Sequence, residues 1–400
     1  MTRALLVCPE PLGHKQPAGV GIRFLEMARV LRGDGHQVTL VSPDGRVGEP
    51  VPHGITPEKT RALTASHDVA VVQGHVANDY FAHAQPIPTV VDLYDPFIIE
   101  NLHYFASRGG EVFAHDHATL MQSLQRGDFF LCASDAQRLF YVGAMLAIGR
   151  LNPIVFESDP HLDALIAVAP FGVPPARERA PRNLDAPRVL FGGIYDWYDP
   201  ILAIDAVAIA RRERLPKLTL TFNAHPNPEL TPQGKAAEAR QYARRKSYDF
   251  VRFEPWVPYE ERGAYYDQFA LALLTFPQSI ETDLSMRTRV FDYLWGGLTV
   301  VSSSAPGTDE ILTGYGVGTP IESDSAEAFA AAIIGNVVEN GAVSDRIARF
   351  VADHQWPRTL QPLVDFVRVG ALASGARPRA GAPTRPSILT RLKRRIGGGP

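Results

Sequence analysis

The 400-residue chain has only two cysteines, Cys8 and Cys132, and neither belongs to a Cys-x-x-Cys or a mixed Cys/His cluster. That scarcity argues against a disulfide framework and a structural zinc site, and it fits a reducing, cytoplasmic setting. No run of ~18 uncharged apolar residues occurs, so no transmembrane helix is expected. The N-terminal apolar stretch "ALLVC" (4–8) is too short for the core of a signal peptide and suits a buried strand. Three motifs are also missing: G-x-x-x-x-G-K-[ST], G-x-S-x-G and any Asp-x-Asp. Their absence argues against a Walker-type phosphate loop and a hydrolase nucleophile elbow. It also removes a carboxylate pair of Asp-x-Asp spacing that would hold a metal–diphosphate, and no metal or cofactor is expected.

Excess charge of either sign is nearly absent overall, at −3, but it is unevenly placed. Residues 371–400 hold seven Lys/Arg and no acid, so −3 less seven leaves −10 on the first 370 residues. An acidic body argues against a nucleic-acid partner. The tail is Ala/Gly/Pro/Arg-rich and is expected to be disordered. Its end, "PSILTRLKRRIGG", sets Ile388, Leu389, Leu392 and Ile396 among cations. Two readings stand: a solvated basic tail, or a weak interfacial helix drawn to the anionic inner face of a membrane.

What is present is the composition of a globular protein, 45% hydrophobic and 21% charged. At roughly 100–200 residues per domain, the length suggests two domains and a tail. "RALLVCP" (3–9), "QVTLVSP" (37–43), "DVAVVQG" (68–74), "PTVVDLY" (88–94), "DFFLCAS" (128–134) and "ALIAVAPFGVP" (164–174) read as strands. Helix-like segments separate them, the first being "GIRFLEMARVLRGDGH" (21–36), with Ile22, Leu25, Ala28 and Leu31 at helical spacing. The polar, Pro- and Arg-rich stretch 174–187 marks a boundary, after which "RVLFGGI", "KLTLTFNA", "YDFVRFEPW", "FALALLTFP" and "LTVVSSS" restart the alternation. This pattern predicts two α/β units with doubly wound parallel sheets, over 1–173 and 188–370.

Ligands of such sheets bind beyond the C-terminal ends of the strands, so residues just after strands are the candidates. Gly19 and Gly21 open the first helix and allow close backbone approach to a phosphate or sugar; an ordinary glycine turn is the alternative. His75 follows the third strand and is a candidate to touch substrate. Asp92 and Asp95 in "DLYDP" are candidates for a sugar-binding carboxylate or a base, and Asp95 is also a candidate helix cap ahead of Pro96. Gly193 and Asp196 follow the first strand of the second unit.

The stretch "LSMRTRVFDYLWGGLTVV" (284–301) reads as a helix, a glycine pair and a strand. Its first turn carries Arg287 and Arg289, where the helix field disfavours cations and attracts anions. With Ser285 as N-cap, a diphosphate here would take hydrogen bonds from the free N–H groups of Met286, Arg287, Thr288 and Arg289 and from the Arg287 guanidinium. Asp292 is placed to hold ribose hydroxyls, and an Arg289–Asp292 ion pair is the alternative for those two residues.

With these residues placed, the chain resembles the GT-B-fold glycosyltransferases of the large group that includes the retaining family 4 enzymes. "PAGVGIRFLEMARVLRGDGHQVTLVSP", "IAVAPFGVP", "RVLFGGIYDWYDPILAIDAV" and "RTRVFDYLWGGLTVVSSSAPGTDEIL" carry the resemblance, in order, over about 3–315. It implies two Rossmann-like domains facing a cleft, with a nucleotide-sugar donor held mainly by the second. The acceptor, a carbohydrate, lipid-linked or small molecule, is held mainly by the first. It implies metal-independent transfer that retains configuration, Gly19 and Gly21 near the donor phosphates, Asp292 on ribose, and Trp256 and Val257 at the base. The chain departs from the pattern where Leu284 replaces the first acid of the acid-x7-acid motif, and where the usual Arg and Lys are missing from "GGIYDWYDP". Arg287 and Arg289 are expected to replace that pair. A nucleotide-sugar 2-epimerase-like isomerase and a non-catalytic nucleotide-sugar-binding subunit are the competing readings.

Overall fold

In a computed structural model, residues 1–13, 17–43, 56–104, 109–224, 233–338 and 343–370 are described. The basic tail from 371 lies outside them. The first half contains β1 (Arg3–Val7), β2 (Gln37–Val41), β3 (Val69–Val72), β4 (Thr89–Asp92), β5 (Phe129–Cys132) and β6 (Ile166–Val168). They form one parallel sheet in the order β2-β1-β3-β4-β5-β6. The second half contains β7 (Arg188–Gly193), β8 (Thr219–Asn223), β9 (Val251–Glu254), β10 (Leu271–Leu274), β11 (Thr299–Ser303) and β12 (Gly318–Ile321). Its order is β12-β11-β10-β7-β8-β9, again all parallel.

The short apolar runs explain this architecture. β3, β4, β5, β10 and β11 are buried along their whole length, as strands covered by helices on both faces must be, and alternation of polar and apolar residues is lost there. β2, β9 and β12 lie at sheet edges and are only partly buried. β12, "GTPI", escapes sequence reading because glycine and proline weaken the strand signal; an edge position tolerates both. Each order reverses direction once, between β1 and β3 in the first sheet and between β7 and β10 in the second. Those reversals are where crevices open at the strand ends of doubly wound sheets.

The two halves are tied together more closely than a simple linker implies. Within 174–187, Arg177 pairs with Asp267 at 2.6 Å, and Arg182 donates to the carbonyls of Gly296 and Gly297 at 2.9 and 2.8 Å. The chain also crosses back at its end. Helix Gln361–Gly370 packs on the first sheet, with Phe366 stacked on Phe129 at 4.8 Å and Arg368 paired with Asp34. A boundary drawn at 370 therefore assigns to the second unit a helix that covers the first.

Candidate functional site

A pocket of about 840 Å³, counting its open mouth, lies between the halves at the two reversal points. Pro17, Ala18, Gly19 and Ile22 reach it after β1, with Phe171 beside them. From the second half come Gly192, Gly193 and Tyr195 after β7, Asn223 after β8, and Trp256, Val257 and Tyr259 after β9. Arg262, Tyr265, Tyr266, Thr288, Arg289, Asp292 and Tyr293 complete the lining. The backbone of β7 has to end in glycine: Gly192 sits at φ +82°, and a Cβ there would lie 2.5 Å from the Tyr293 hydroxyl. That hydroxyl donates to the Phe191 carbonyl at 2.8 Å, so strand end and helix close on each other.

The two arginines of 284–301 separate. Helix Thr288–Trp295 begins with Arg287 at its N-cap, whereas Ser285 ends the preceding short helix, Ile280–Leu284. Ser285 is therefore not the cap that the sequence suggests. Arg287 is turned away from the pocket and makes two 2.7 Å hydrogen bonds to Glu281, with both side chains under 5% exposed. It is not a cation awaiting a diphosphate, because its charge is already met by an acid six residues earlier. Met286 lies against the helix Pro306–Tyr315, where a Cβ on Gly307 would come within 3.0 Å of its methyl. Arg289, by contrast, lines the pocket. It donates to the Gly193 carbonyl and lies 5.0 and 4.8 Å from the Tyr195 and Tyr198 rings. Among the described residues no carboxylate pairs with it.

Asp292 stands one turn further and also lines the pocket. Its ion-pair partner is Arg262, at 3.2 Å, and not Arg289. Burial raises the Asp292 carboxyl above its ordinary value, while the charges of Arg262 and Arg289 oppose the rise. Arg262 lies 3.5 Å over the Tyr259 ring and 4.5 Å over Trp295, which fixes the carboxylate's orientation. Arg262, Tyr259, Tyr265 and Tyr266 stand outside the stretches that mark the site in the sequence, whereas Tyr195 and Tyr293 fall within "GGIYDWYDP" and "RTRVFDYLWGG".

Gly21 lies beside the pocket, but its N–H and that of Ala18 each donate to the Glu10 carboxylate at 2.5 Å. The chain itself thus supplies an anion at this helix start, where the resemblance implies a donor phosphate. Asp196 accepts from the Lys235 N–H at 3.0 Å and anchors the start of helix Gly234–Arg245. Asp92 is fully buried and held by Arg23 at 2.7 and 3.0 Å; Arg23 also donates to the carbonyls of Ala169 and Pro170. With both oxygens engaged, Asp92 holds the sheet end together and is not a free base. Asp95 does not cap the helix Phe97–Glu100, whose N-cap is Pro96. His75 precedes helix Val76–His83, outside the pocket lining, and bonds to Asp116 at 2.6 Å.

Asp95 and Glu100, the latter without a motif to mark it in the sequence, form a carboxyl pair at the seam between the halves. The Ser285 hydroxyl donates to Glu100 at 3.3 Å, and the Gln137 amide donates through Nε2 to the Leu284 carbonyl at 2.8 Å. Burial, then the nearby charges of Asp92 and Glu281, push Asp95 up to about 6, against a hydrogen bond from Glu100 that lowers it. Burial and the charges of Asp95 and Glu281 raise Glu100 well above the usual carboxylate range. A carboxyl whose folded value exceeds its unfolded one binds its proton more tightly when folded, so stability falls as pH rises between the two values. We expect Asp95→Asn to raise the thermal midpoint at pH 7–8 and to have a smaller effect near pH 4; melting curves across that range check this.

Among the described residues, no three His, Cys, Asp or Glu side chains converge where a metal ion could sit, and no helix is long and apolar enough to cross a membrane.

No family model matches the chain, and no curated protein matches it in sequence. Solved structures do match in three dimensions. A trehalose 6-phosphate synthase from Burkholderia multivorans superposes with TM-score 0.62 at 12% identity, over 94% of this chain and 100% of that one. Anabaena HepE, solved with UDP and glucose, gives TM-score 0.61 at 13% identity over 92% and 100%. The fold is GT-B. The pneumococcal O-GlcNAc transferase GtfA, solved with UDP and GlcNAc, gives TM-score 0.53 at 15% identity over 79% of this chain, which spans 60% of GtfA's length. A GT-B chain places its two α/β units face to face across one cleft, and the pocket lined by Arg289 and Asp292 lies in that cleft.

Proposed function

We propose that this protein is a glycosyltransferase that takes a sugar from a nucleoside-diphosphate donor held in the cleft pocket. One observation carries the reading. Arg289 and Asp292 stand three residues apart on one helix and both line the pocket, the first without an acid partner among the described residues. A cation and a carboxylate so placed suit a diphosphate and a ribose. Trp256, Val257 and Tyr259, beyond the end of β9, offer flat apolar surface for the base. UDP bound in the structures of HepE and GtfA supports the same occupant. Transfer without a metal cofactor fits a pocket whose own cation faces the diphosphate.

The acceptor, a carbohydrate, lipid-linked or small molecule, enters from the first-domain side of the cleft, and a weak contact of the basic tail with a membrane surface would favour a lipid-linked one. The test is calorimetry with UDP-glucose and GDP-mannose, followed by transfer assays on whichever binds. Asp292→Asn should weaken binding of the ribonucleotide about 10- to 150-fold, the range of hydrogen bonds to a charged group. The wild type should discriminate against the 2′-deoxy donor and the variant should not. Equal affinity of the wild type for ribose and 2′-deoxyribose donors would remove Asp292 from this role.

A further inference from the structure

The charged groups of the pocket, Arg289 and Asp292, suit a diphosphate and a ribose, and neither distinguishes one base from another. A third polar group, Asn223, offers a finer contact. It ends β8, is half-buried and lines the pocket. Its Nδ2 donates to the Pro255 carbonyl at 3.1 Å and to the Tyr265 hydroxyl oxygen at 2.8 Å. The chemistry of these partners fixes which end of the amide faces them. A carbonyl only accepts. The Tyr265 hydroxyl gives its single hydrogen to Glu254 Oε2 at 2.8 Å, so towards Asn223 its oxygen can only accept. Arg188 Nη2 holds the other Glu254 oxygen, Oε1, at 2.5 Å. Both amide hydrogens of Asn223 are therefore engaged by the protein, and Oδ1 is turned away from them as an acceptor. Among the described residues no donor reaches it.

The surroundings decide what this acceptor suits. A carbonyl oxygen repels the oxygens of a diphosphate, which Arg289, bonded at the end of β7, is placed to meet. Asp292 supplies a carboxylate for the ribose hydroxyls. Asn223 is bonded to Pro255, the residue before Trp256 and Val257, so its amide stands beside the segment whose flat apolar surface suits the base. Neither Trp256 nor Val257 gives its backbone N–H to a protein partner among the described residues. An acceptor and unengaged N–H donors thus meet in the part of the pocket beyond β8 and β9. A lactam presents the complementary pair, a ring N–H next to a carbonyl.

We propose that Asn223 selects the base of the donor, and that this base is a lactam, uracil or guanine, whose ring N–H is accepted by Asn223 Oδ1. This rests on the glycosyltransferase reading above. The backbone N–H of Trp256 or Val257 donates to the neighbouring base carbonyl. Adenine and cytosine carry a lone pair, not a hydrogen, on the corresponding ring nitrogen. Against Oδ1 that lone pair meets another. The amide cannot turn to relieve the clash, because rotation would set Oδ1 against the Pro255 carbonyl and give up both Nδ2 bonds. Arg188, Glu254 and Tyr265 are positioning residues, since their chain of hydrogen bonds keeps the selection one-sided.

The test is calorimetry of the full chain with the diphosphates of uridine, guanosine, cytidine and adenosine, and with those of 3-methyluridine and 1-methylguanosine, which lack the ring N–H. UDP or GDP should bind, and the cytidine and adenosine diphosphates about 5- to 150-fold more weakly, the effect of leaving a buried polar group unsatisfied. Methylating the ring nitrogen of the nucleotide that binds should weaken it over the same range. Asn223→Ala should weaken the unmethylated nucleotide comparably and bind the methylated one equally well, whereas a change that merely disturbed the pocket would weaken both alike and so contradict the proposal. Tyr265→Phe, which frees the amide to rotate, should narrow the margin between lactam and non-lactam bases. Equal affinity of the wild type for methylated and unmethylated bases, or a preference for CDP or ADP, would overturn the assignment while the glycosyltransferase reading stands. So would a loss in Asn223→Ala that disappears with the 2′-deoxy nucleotide, which would place the amide on ribose. Binding of no nucleoside diphosphate by the wild type would overturn that reading, and the assignment with it. Should Asn223→Ala not fold, the wild-type comparison of methylated with unmethylated nucleotide still decides.

Discussion

Arg289→Ala is expected to lower affinity for a nucleoside diphosphate about 10- to 150-fold, corresponding to about 1.5–3 kcal/mol for hydrogen bonds to a charged group. Affinity for the matching nucleoside should not change, because the contacts proposed for base and ribose are other pocket residues, Trp256, Val257, Tyr259 and Asp292. The fold should survive: the guanidinium bonds to the Gly193 carbonyl and to tyrosine hydroxyls at the pocket, not to a buried acid. Lysine should restore only part of the affinity, since an ammonium does not reproduce the planar fork that binds two phosphate oxygens. Isothermal titration of the three proteins with diphosphate and nucleoside checks this. An equal loss for both ligands would mean that Arg289 shapes the pocket and does not contact phosphate.

Arg287→Ala, two residues away, should behave in the opposite way. It leaves the Glu281 carboxylate buried without its partner, and breaking a buried pair in this manner costs about 3–5 kcal/mol. For a unit of this size the thermal midpoint should drop by about 6–20 °C. Diphosphate affinity of the folded fraction should stay near that of the wild type. Replacing both partners, as Glu281→Leu with Arg287→Leu, should recover much of the loss, because the stranded charge is removed along with its partner. A stable Arg287→Ala protein that has lost diphosphate binding would reverse the roles of the two arginines.

The order of elements is legible in the sequence because fully buried parallel strands are short apolar runs with turn residues at both ends. β3, β4, β5, β10 and β11 have that form, and β1 has it after an exposed Arg3. What escapes is what depends on three-dimensional pairing. Nothing in "PAGVGIRF" reveals that Glu10 folds back onto the amides of Ala18 and Gly21. Arg23 and Glu26 are the charged residues among the buried positions of an otherwise apolar helix, and only the fold identifies Asp92 as the partner of Arg23. Arg287 and Arg289 look alike in sequence. The break between helices Ile280–Leu284 and Thr288–Trp295 rotates one toward Glu281 and the other toward the cleft. A single helix capped by Ser285 would have hidden that difference.

The central claim is that the cleft pocket holds a nucleoside diphosphate through Arg289 and Asp292. Its most direct measurement is calorimetric titration of the full chain with uridine and guanosine diphosphates, run beside the Arg289→Ala/Asp292→Asn double variant. A single site is predicted for at least one of them in the wild type, strongly weakened in the double variant, whose melting behaviour remains cooperative. Binding of undiminished strength in the double variant, or none in the wild type, would contradict the claim.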